Sequence, residues 1–172
     1  GQFYWGNLTV QAIGVPVPRH NLYPDNDSPY SPTANLPSVV TVENPTDFSF
    51  AKTPDLGEYG GRISYLMAFG LDLGVLYYNH WNRNIVYEFK EPMVLSPVVD
   101  KVRTVGFSAS YSIGAFVLRQ DLAEHIGQPT AGDIPGEVIH NTTLQQSVSG
   151  VDVVIFDNWN NGLQWQIDSV EL

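Results

Sequence analysis

Six charged side chains in this sequence could act together: Arg62, Asp72, Arg119, Asp121, Asp152 and Asp168. Each lies in a segment that alternates large apolar residues with small or polar ones, and each falls on the small or polar side of its segment. Alternation with period 2 marks a β-strand, whose successive side chains point to opposite faces. Arg and Asp gathered on one wet strand face can line a polar passage as a charge ladder that sets ion or solute preference. They can equally pair across neighbouring strands and fill an interior.

Other groupings point to less chemistry. Trp5, Trp81, Trp159 and Trp165 could stack on a ligand such as a sugar. Trp5 and Trp81, with Tyr59, Tyr65, Tyr77, Tyr78 and Tyr111, could also form an interfacial aromatic girdle or pack a core. Asp25-Asn26-Asp27 offers the closely spaced hard oxygens that Ca2+ takes, but Pro29 stands where the calcium-loop pattern needs another donor, so a solvated turn is expected. His20, His80, His125 and His140 share no i, i+4 spacing and the chain has no Cys, which argues against a zinc site. His80 reads as polar surface at a strand end. No G-x-S-x-G elbow is present, and the carboxylates of Asp121 and Glu124 would serve a glycosidase only at a suitable separation. No catalytic residue, metal or cofactor is expected, and the chain reads as non-enzymatic.

The elements that must carry these residues are strands. From Arg62 to Phe69 one face holds Ile63, Tyr65, Met67 and Phe69, and after a break at Gly70 the pattern resumes with Leu71, Leu73, Val75, Tyr77 and Trp81 against Asp72, Gly74, Tyr78 and His80. Val105, Phe107, Ala109, Tyr111 and Ile113 oppose Thr104, Gly106, Ser108, Ser110 and Ser112. A turn at Ile113-Gly114 leads to Phe116, Leu118 and Leu122 against Val117, Arg119, Asp121 and Ala123, and Leu163, Trp165 and Ile167 oppose Gln164, Gln166 and Asp168. Further strands are expected over Tyr4–Ile13, Ser38–Val42, Ile85–Phe89 (closed by Pro92 and Pro97) and Leu144–Asp157, with a hairpin turn at Asn158–Gly162 where Asn161-Gly162 favours positive φ. The total is about eight strands and no convincing helix. Eight of the 12 prolines fall between Val15 and Pro54, so residues 15–57 are expected to form a long irregular loop, and residues 127–143 a second one.

Composition sets the limits. With 172 residues the chain is expected to form a single domain, residues 1–172. Its 43% apolar content with only 15% charged residues argues against general disorder. Eighteen acidic against 8 basic side chains, a net charge of -10, exclude a nucleic-acid ligand, which needs clustered Lys and Arg. No apolar run reaches the ~18 residues of a spanning helix, yet a spanning barrel strand needs only about 9 to 11 alternating residues. One uniformly greasy face opposite a polar one suits a barrel wall with lipid outside and water inside. GQFYWGNLTV carries no basic n-region or cleavage site, so an exported protein would be seen here in mature or partial form.

Short stretches carry a resemblance over roughly residues 57–166: Glu58-Tyr59-Gly60 leading to Arg62, Tyr77-Tyr78, Gly106-Phe107-Ser108, Leu118-Arg119-Gln120-Asp121, Gly150-Val151-Asp152 and Gln164-Trp165-Gln166. In these the chain resembles Gram-negative outer-membrane β-barrels of a porin-like family of uncharacterised function. Such barrels usually end in a strand with a terminal aromatic, whereas this chain ends Val170-Glu171-Leu172, and the family's members are longer, so the resemblance implies a portion of a larger barrel. The expectation is an all-β, antiparallel, up-and-down transmembrane β-barrel or a consecutive portion of one. It would sit in the lipid bilayer of a bacterial outer membrane as a passive channel for small solutes or ions, with self-association into a homo-oligomer left open. Arg62, Asp72, Arg119, Asp121, Asp152 and Asp168 would line its lumen. The competing expectation is a soluble extracellular β-sandwich that binds carbohydrate through Trp5, Trp81, Trp159 and Trp165.

Overall fold

The computed structural model describes residues 1–16, 18, 36–37, 39–43, 57–82, 86–134, 136–156 and 159–171, with only the backbone considered at 154–156, 159–161, 170 and 171. Eleven strands account for most of these residues: β1 (Gln2–Trp5), β2 (Leu8–Val15), β3 (Thr41–Val42), β4 (Glu58–Leu66), β5 (Leu71–Trp81), β6 (Val86–Glu91), β7 (Val94–Val98), β8 (Lys101–Ile113), β9 (Phe116–Ala131), β10 (Val138–Phe156) and β11 (Trp159–Glu171). No helix occurs among the described residues.

Eight strands form one sheet in the order β1-β2-β4-β5-β8-β9-β10-β11, and each adjacent pair is antiparallel. Apart from the excursions to a second sheet, this is an up-and-down meander in sequence order. Its outer strands, β1 and β11, are not paired with each other. Two of its turns depend on glycine. Gly6 (φ 58°) and Gly114 (φ 58°) open two-residue connections between Trp5 and Leu8 and between Ile113 and Phe116. Positive φ at the first central position is the II′ turn, whose twist matches that of the flanking strands and which glycine adopts without a Cβ clash.

Register then aligns the faces. One row runs Phe3, Val10, Ile63, Val75, Phe107, Leu122, Ser147, Ile167 across all eight strands. The next row, on the opposite face, runs Tyr4, Thr9, Ser64, Gly74, Ser108, Asp121, Val148, Gln166. A slip of one residue at any joint would turn charge into the apolar face, so the pattern itself enforces the register.

The second sheet is small, ordered β3-β7-β6, with β3 parallel to β7 and β6 antiparallel to it. β6 packs against β9 and β10 at one end of the main sheet, where Phe89 N donates to Gly136 O at 3.0 Å. The buried apolar side chains among the described residues, Leu95, Val98, Val102 and Val138, come from the second sheet and from the strand ends of β8 and β10. Ser96 is fully buried beside them in β7. Elsewhere the main sheet has no covering layer among the described residues, and Ile63, Val75, Phe107, Leu122, Trp165 and Ile167 all remain exposed.

Several local expectations are corrected. Tyr4–Ile13 is two strands, because Gly6 reverses the chain. Met67 and Phe69 belong to the β4–β5 connection, and Phe69 instead meets Tyr111 edge-on at 6.2 Å. Pro97 lies inside β7, where β3 stops at the partner of Leu95 and leaves that flank without a ladder to interrupt. The expected loop at 127–143 is largely strand: β9 runs to Ala131 and β10 starts at Val138. A register shift there, with Gly127 at φ 84° and Asn141 at φ 62°, lets the hairpin pass Pro129 as a bulge rather than end at it. Asn161 and Gly162 pair with Val153 and Asp152 inside β11, so the turn falls earlier than the Asn-Gly signal suggests. Of the 15–57 segment, β2 takes Val15 and β3 takes Thr41–Val42, while His20, Asp25-Asn26-Asp27 and Ser38 lie outside the described residues.

Candidate functional site: the polar face of the sheet

Strand partners in a ladder project to the same side, so register decides which charges meet. Arg62 pairs with Leu76, Asp72 with Ser110, Ser110 with Arg119, Ser108 with Asp121, Asp152 with Gly162 and Gln146 with Asp168. Followed across the sheet, these pairings put Arg62, Asp72, Arg119, Asp121, Asp152 and Asp168 on one face. They occupy consecutive rows: Arg62 with Asp168, then Asp121, then Asp72 with Arg119, then Asp152. Rows on one face lie about 7 Å apart, so the belt is about 20 Å deep.

Around the charges the face is built of small residues, and this lets the arginines lie along it. Arg62 on β4 reaches across β5 and donates from Nη2 to Ser108 Oγ on β8 at 3.2 Å. It passes over Gly74, where a Cβ would lie 2.6 Å from Ser108 Oγ and 3.2 Å from the guanidinium. Arg62, Gly74, Ser108 and Asp121 share a concavity of about 220 Å³. Arg119 pairs with Asp152 at 3.0 Å, both side chains well exposed (61% and 42%). A second hollow of about 270 Å³ holds Arg119, Asp121 and Asp152. Asp168 accepts from Gln166 Nε2 at 3.0 and 3.1 Å. The carboxylates of Asp72 and Asp121 have no hydrogen-bond or ion-pair partner among the described residues, so carboxylate charge is in excess on this face.

At the end nearer the second sheet is a group that periodicity did not single out. Glu58, only 2% exposed, accepts from Tyr78 Oη at 2.7 Å and from Trp81 N at 3.3 Å. The Tyr78 ring stacks on His80 at 5.0 Å. His80, Thr104, His125 and Gln146 follow one another by hydrogen bonds across β5, β8, β9 and β10. Each of these residues alternates correctly in its own strand, but only the long-range β5–β8 register brings the two histidines to one hydroxyl. No three metal-binding side chains converge among the described residues.

The tryptophans do not gather into a stacking site. Trp5 (76% exposed) and Trp165 (48% exposed) lie on the two edge strands, both on the apolar face. Trp81 lies towards the far end of β5 from them, on the same face, with Lys101 Nζ 5.2 Å from its ring centroid. The side chain of Trp159 lies outside the described residues. Tyr59 and Tyr77, 6.4 Å apart, sit on the same end of the apolar face as Trp81. Polar groups interrupt that face: Gln120 donates to Ser147 at 3.0 Å and accepts from Ser149, while Glu124 and Gln145 lie beside Val105, and Lys101 and Arg103 stand near the Trp81 end.

No protein-family model, curated protein or solved structure matches this chain.

Proposed function

We propose that the eight-stranded sheet is the wall of a transmembrane β-barrel, whole or a consecutive portion, which gives small solutes or ions passive passage across a bacterial outer membrane. The observation that carries this reading is a largely apolar face with no covering layer over most of it among the described residues, on a sheet where Arg62, Asp72, Arg119, Asp121, Asp152 and Asp168 share the other face. Exposed apolar area of this extent is unfavourable in water by about 25 cal/mol per Å², and a contiguous patch so large marks a surface that meets lipid or protein. A sandwich would cover it with a second sheet, but here that sheet has strands of only 2, 5 and 6 residues and packs at one end.

Three further features fit. β5 and β8, at 11 and 13 residues, have the length a tilted spanning strand needs. Tyr59, Tyr77 and Trp81 stand at one end of the greasy band, where girdle aromatics belong. The Gln120–Ser147–Ser149 group is internally bonded, which lowers the cost of facing hydrocarbon. Inside such a wall the excess carboxylates favour cations.

The test is behaviour without detergent. The chain should need detergent to stay monodisperse, and a monodisperse preparation in plain buffer would end the membrane reading in favour of a soluble β-sandwich. In a bilayer, Arg119→Ala should raise cation preference, since it frees Asp152. Unchanged ion selectivity would remove Arg119 from the lumen.

A further inference from the structure

Four hydrogen bonds run in a line across the polar face. Trp81 O meets His80 Nδ1 at 3.0 Å, His80 Nε2 meets Thr104 Oγ1 at 3.0 Å, Thr104 Oγ1 meets His125 Nδ1 at 2.8 Å, and His125 Nε2 meets Gln146 Oε1 at 3.0 Å. Both ends are oxygen acceptors, so every hydrogen must come from within the line. Four bonds need four hydrogens. The Thr104 hydroxyl supplies one and each neutral imidazole one, so with Gln146 Oε1 facing His125 the line closes only when it holds one additional proton.

That proton belongs to neither ring alone. When His125 carries it, Thr104 donates to His80; when His80 carries it, Thr104 donates to His125. Two coupled proton hops, one from the charged ring to Thr104 Oγ1 and one from that hydroxyl to the other ring, move the charge between strands β5 and β9. Without the proton, a half-turn of the Gln146 amide presents Nε2 to His125, and four hydrogens again meet four bonds. Occupied and empty states are both fully bonded, so neither leaves a buried polar atom unpaired.

We propose that His80, Thr104 and His125 form a single-proton site, in which two imidazoles bind one proton between them through the threonine hydroxyl and Gln146 turns with its occupancy. The charges facing it are few. From β4, the buried Glu58 holds Tyr78, whose ring covers His80, and Arg62 lies in the row beyond Tyr78. From β5, Asp72 lies farther along the same face, and from β9 Asp121 lies two rows beyond His125. On β8, Lys101 and Arg103 project to the opposite face. On β11, Asp168 pairs with Gln146, and Glu88 of β6 is within 3.8 Å of His140, which also meets Asp100. One proton therefore changes the local charge of the polar face by a full unit. The site does not depend on the channel reading.

Imidazole 15N spectra of the full chain in detergent micelles test it, and they read the same whether or not bilayers conduct. In the empty state both rings should carry hydrogen on Nδ1, opposite to the usual Nε2–H preference of free imidazole side chains. On acidification both should follow one common curve as the pair takes up its first proton. Thr104→Val should lose this coupling, giving two independent curves, and Thr104→Ser should restore it. Thr104→Ala serves if the valine variant does not fold. Nε2–H on either empty ring, separate curves in the wild type, or unchanged coupling in a folded Thr104→Val or Thr104→Ala protein would overturn the proposal.

Discussion

Alanine at position 74 should have an effect that depends on the residue at position 108. A Cβ at Gly74 would lie 2.6 Å from Ser108 Oγ, closer than real Cβ contacts come, and the cheapest relief is rotation of that hydroxyl away from Arg62. The rotation loses the Arg62–Ser108 hydrogen bond, worth about 0.5–1.5 kcal/mol. Against it stands the backbone gain of replacing a mid-strand glycine, about 0.5–1 kcal/mol. In the wild-type background Gly74→Ala therefore lies between about 1 kcal/mol destabilising and about 0.5 kcal/mol stabilising on these magnitudes. With Ser108→Ala the hydroxyl is absent and the bond already lost, so the same substitution should stabilise by about 0.5–1 kcal/mol. A double-mutant cycle from denaturant unfolding in a fixed detergent measures the coupling, expected at about 1 kcal/mol. Additive effects, with alanine at 74 equally stabilising in both backgrounds, would refute the idea that glycine is there to let Arg62 cross the strand.

The remaining expectations concern face, charge and pH. Phe107→Arg, on the apolar face, should destabilise folding into lipid vesicles by about 2–4 kcal/mol, whereas Ser110→Arg on the opposite face should cost far less; equal costs would contradict the assignment of sides. His140 has its pKa raised above the usual histidine value, chiefly by its hydrogen bond to Asp100 at 3.0 Å, with the charges of Asp100 and Glu88 adding to it and slight burial opposing. Because the folded value is the higher one, the stabilisation is fully present below about pH 6.5 and is lost as pH rises through that raised value. Thermal unfolding of His140→Ala against wild type should differ by no more than about 1 kcal/mol at low pH, given the exposed pair, and converge at higher pH. A difference that grows as pH rises would contradict this origin.

How much of this was legible in the sequence depends on the range of the signal. Facing is local: alternation around Arg62, Asp72, Arg119, Asp121, Asp152 and Asp168 reports where each Cβ points, and the structure puts all of them on one side of one antiparallel up-and-down sheet. Turn signals are local too, but they compete with pairing. Asn161-Gly162 is a strong hairpin pair, yet matching the apolar faces of β10 and β11 moves the reversal earlier and draws both residues into the ladder. Pro129 looked like a strand end because the bulge that accommodates it needs Gly127 and Asn141, on two different strands. The His80–Thr104–His125 line was out of reach for the same reason. It exists only in the register that β5 and β8 adopt after the chain has left to build β6 and β7.

That excursion also sets an order of events. Most neighbours in the main sheet are neighbours in sequence, and a hairpin such as β8–β9, closed by Gly114 and Ala115, loses little chain entropy on forming. The β5–β8 joint must close over residues 82–100, at about 2 kcal/mol more loop entropy than a two-residue turn. The continuous β8–β9–β10–β11 meander can therefore zip early as one unit, with the β4–β5 hairpin docking onto its β8 edge afterwards and the β1–β2 hairpin, tied to β4 by the still longer connection of residues 16–57, joining later. The proton line spans the β5–β8 joint, so its formation is a magnetic marker for the docking of the β4–β5 hairpin onto the meander.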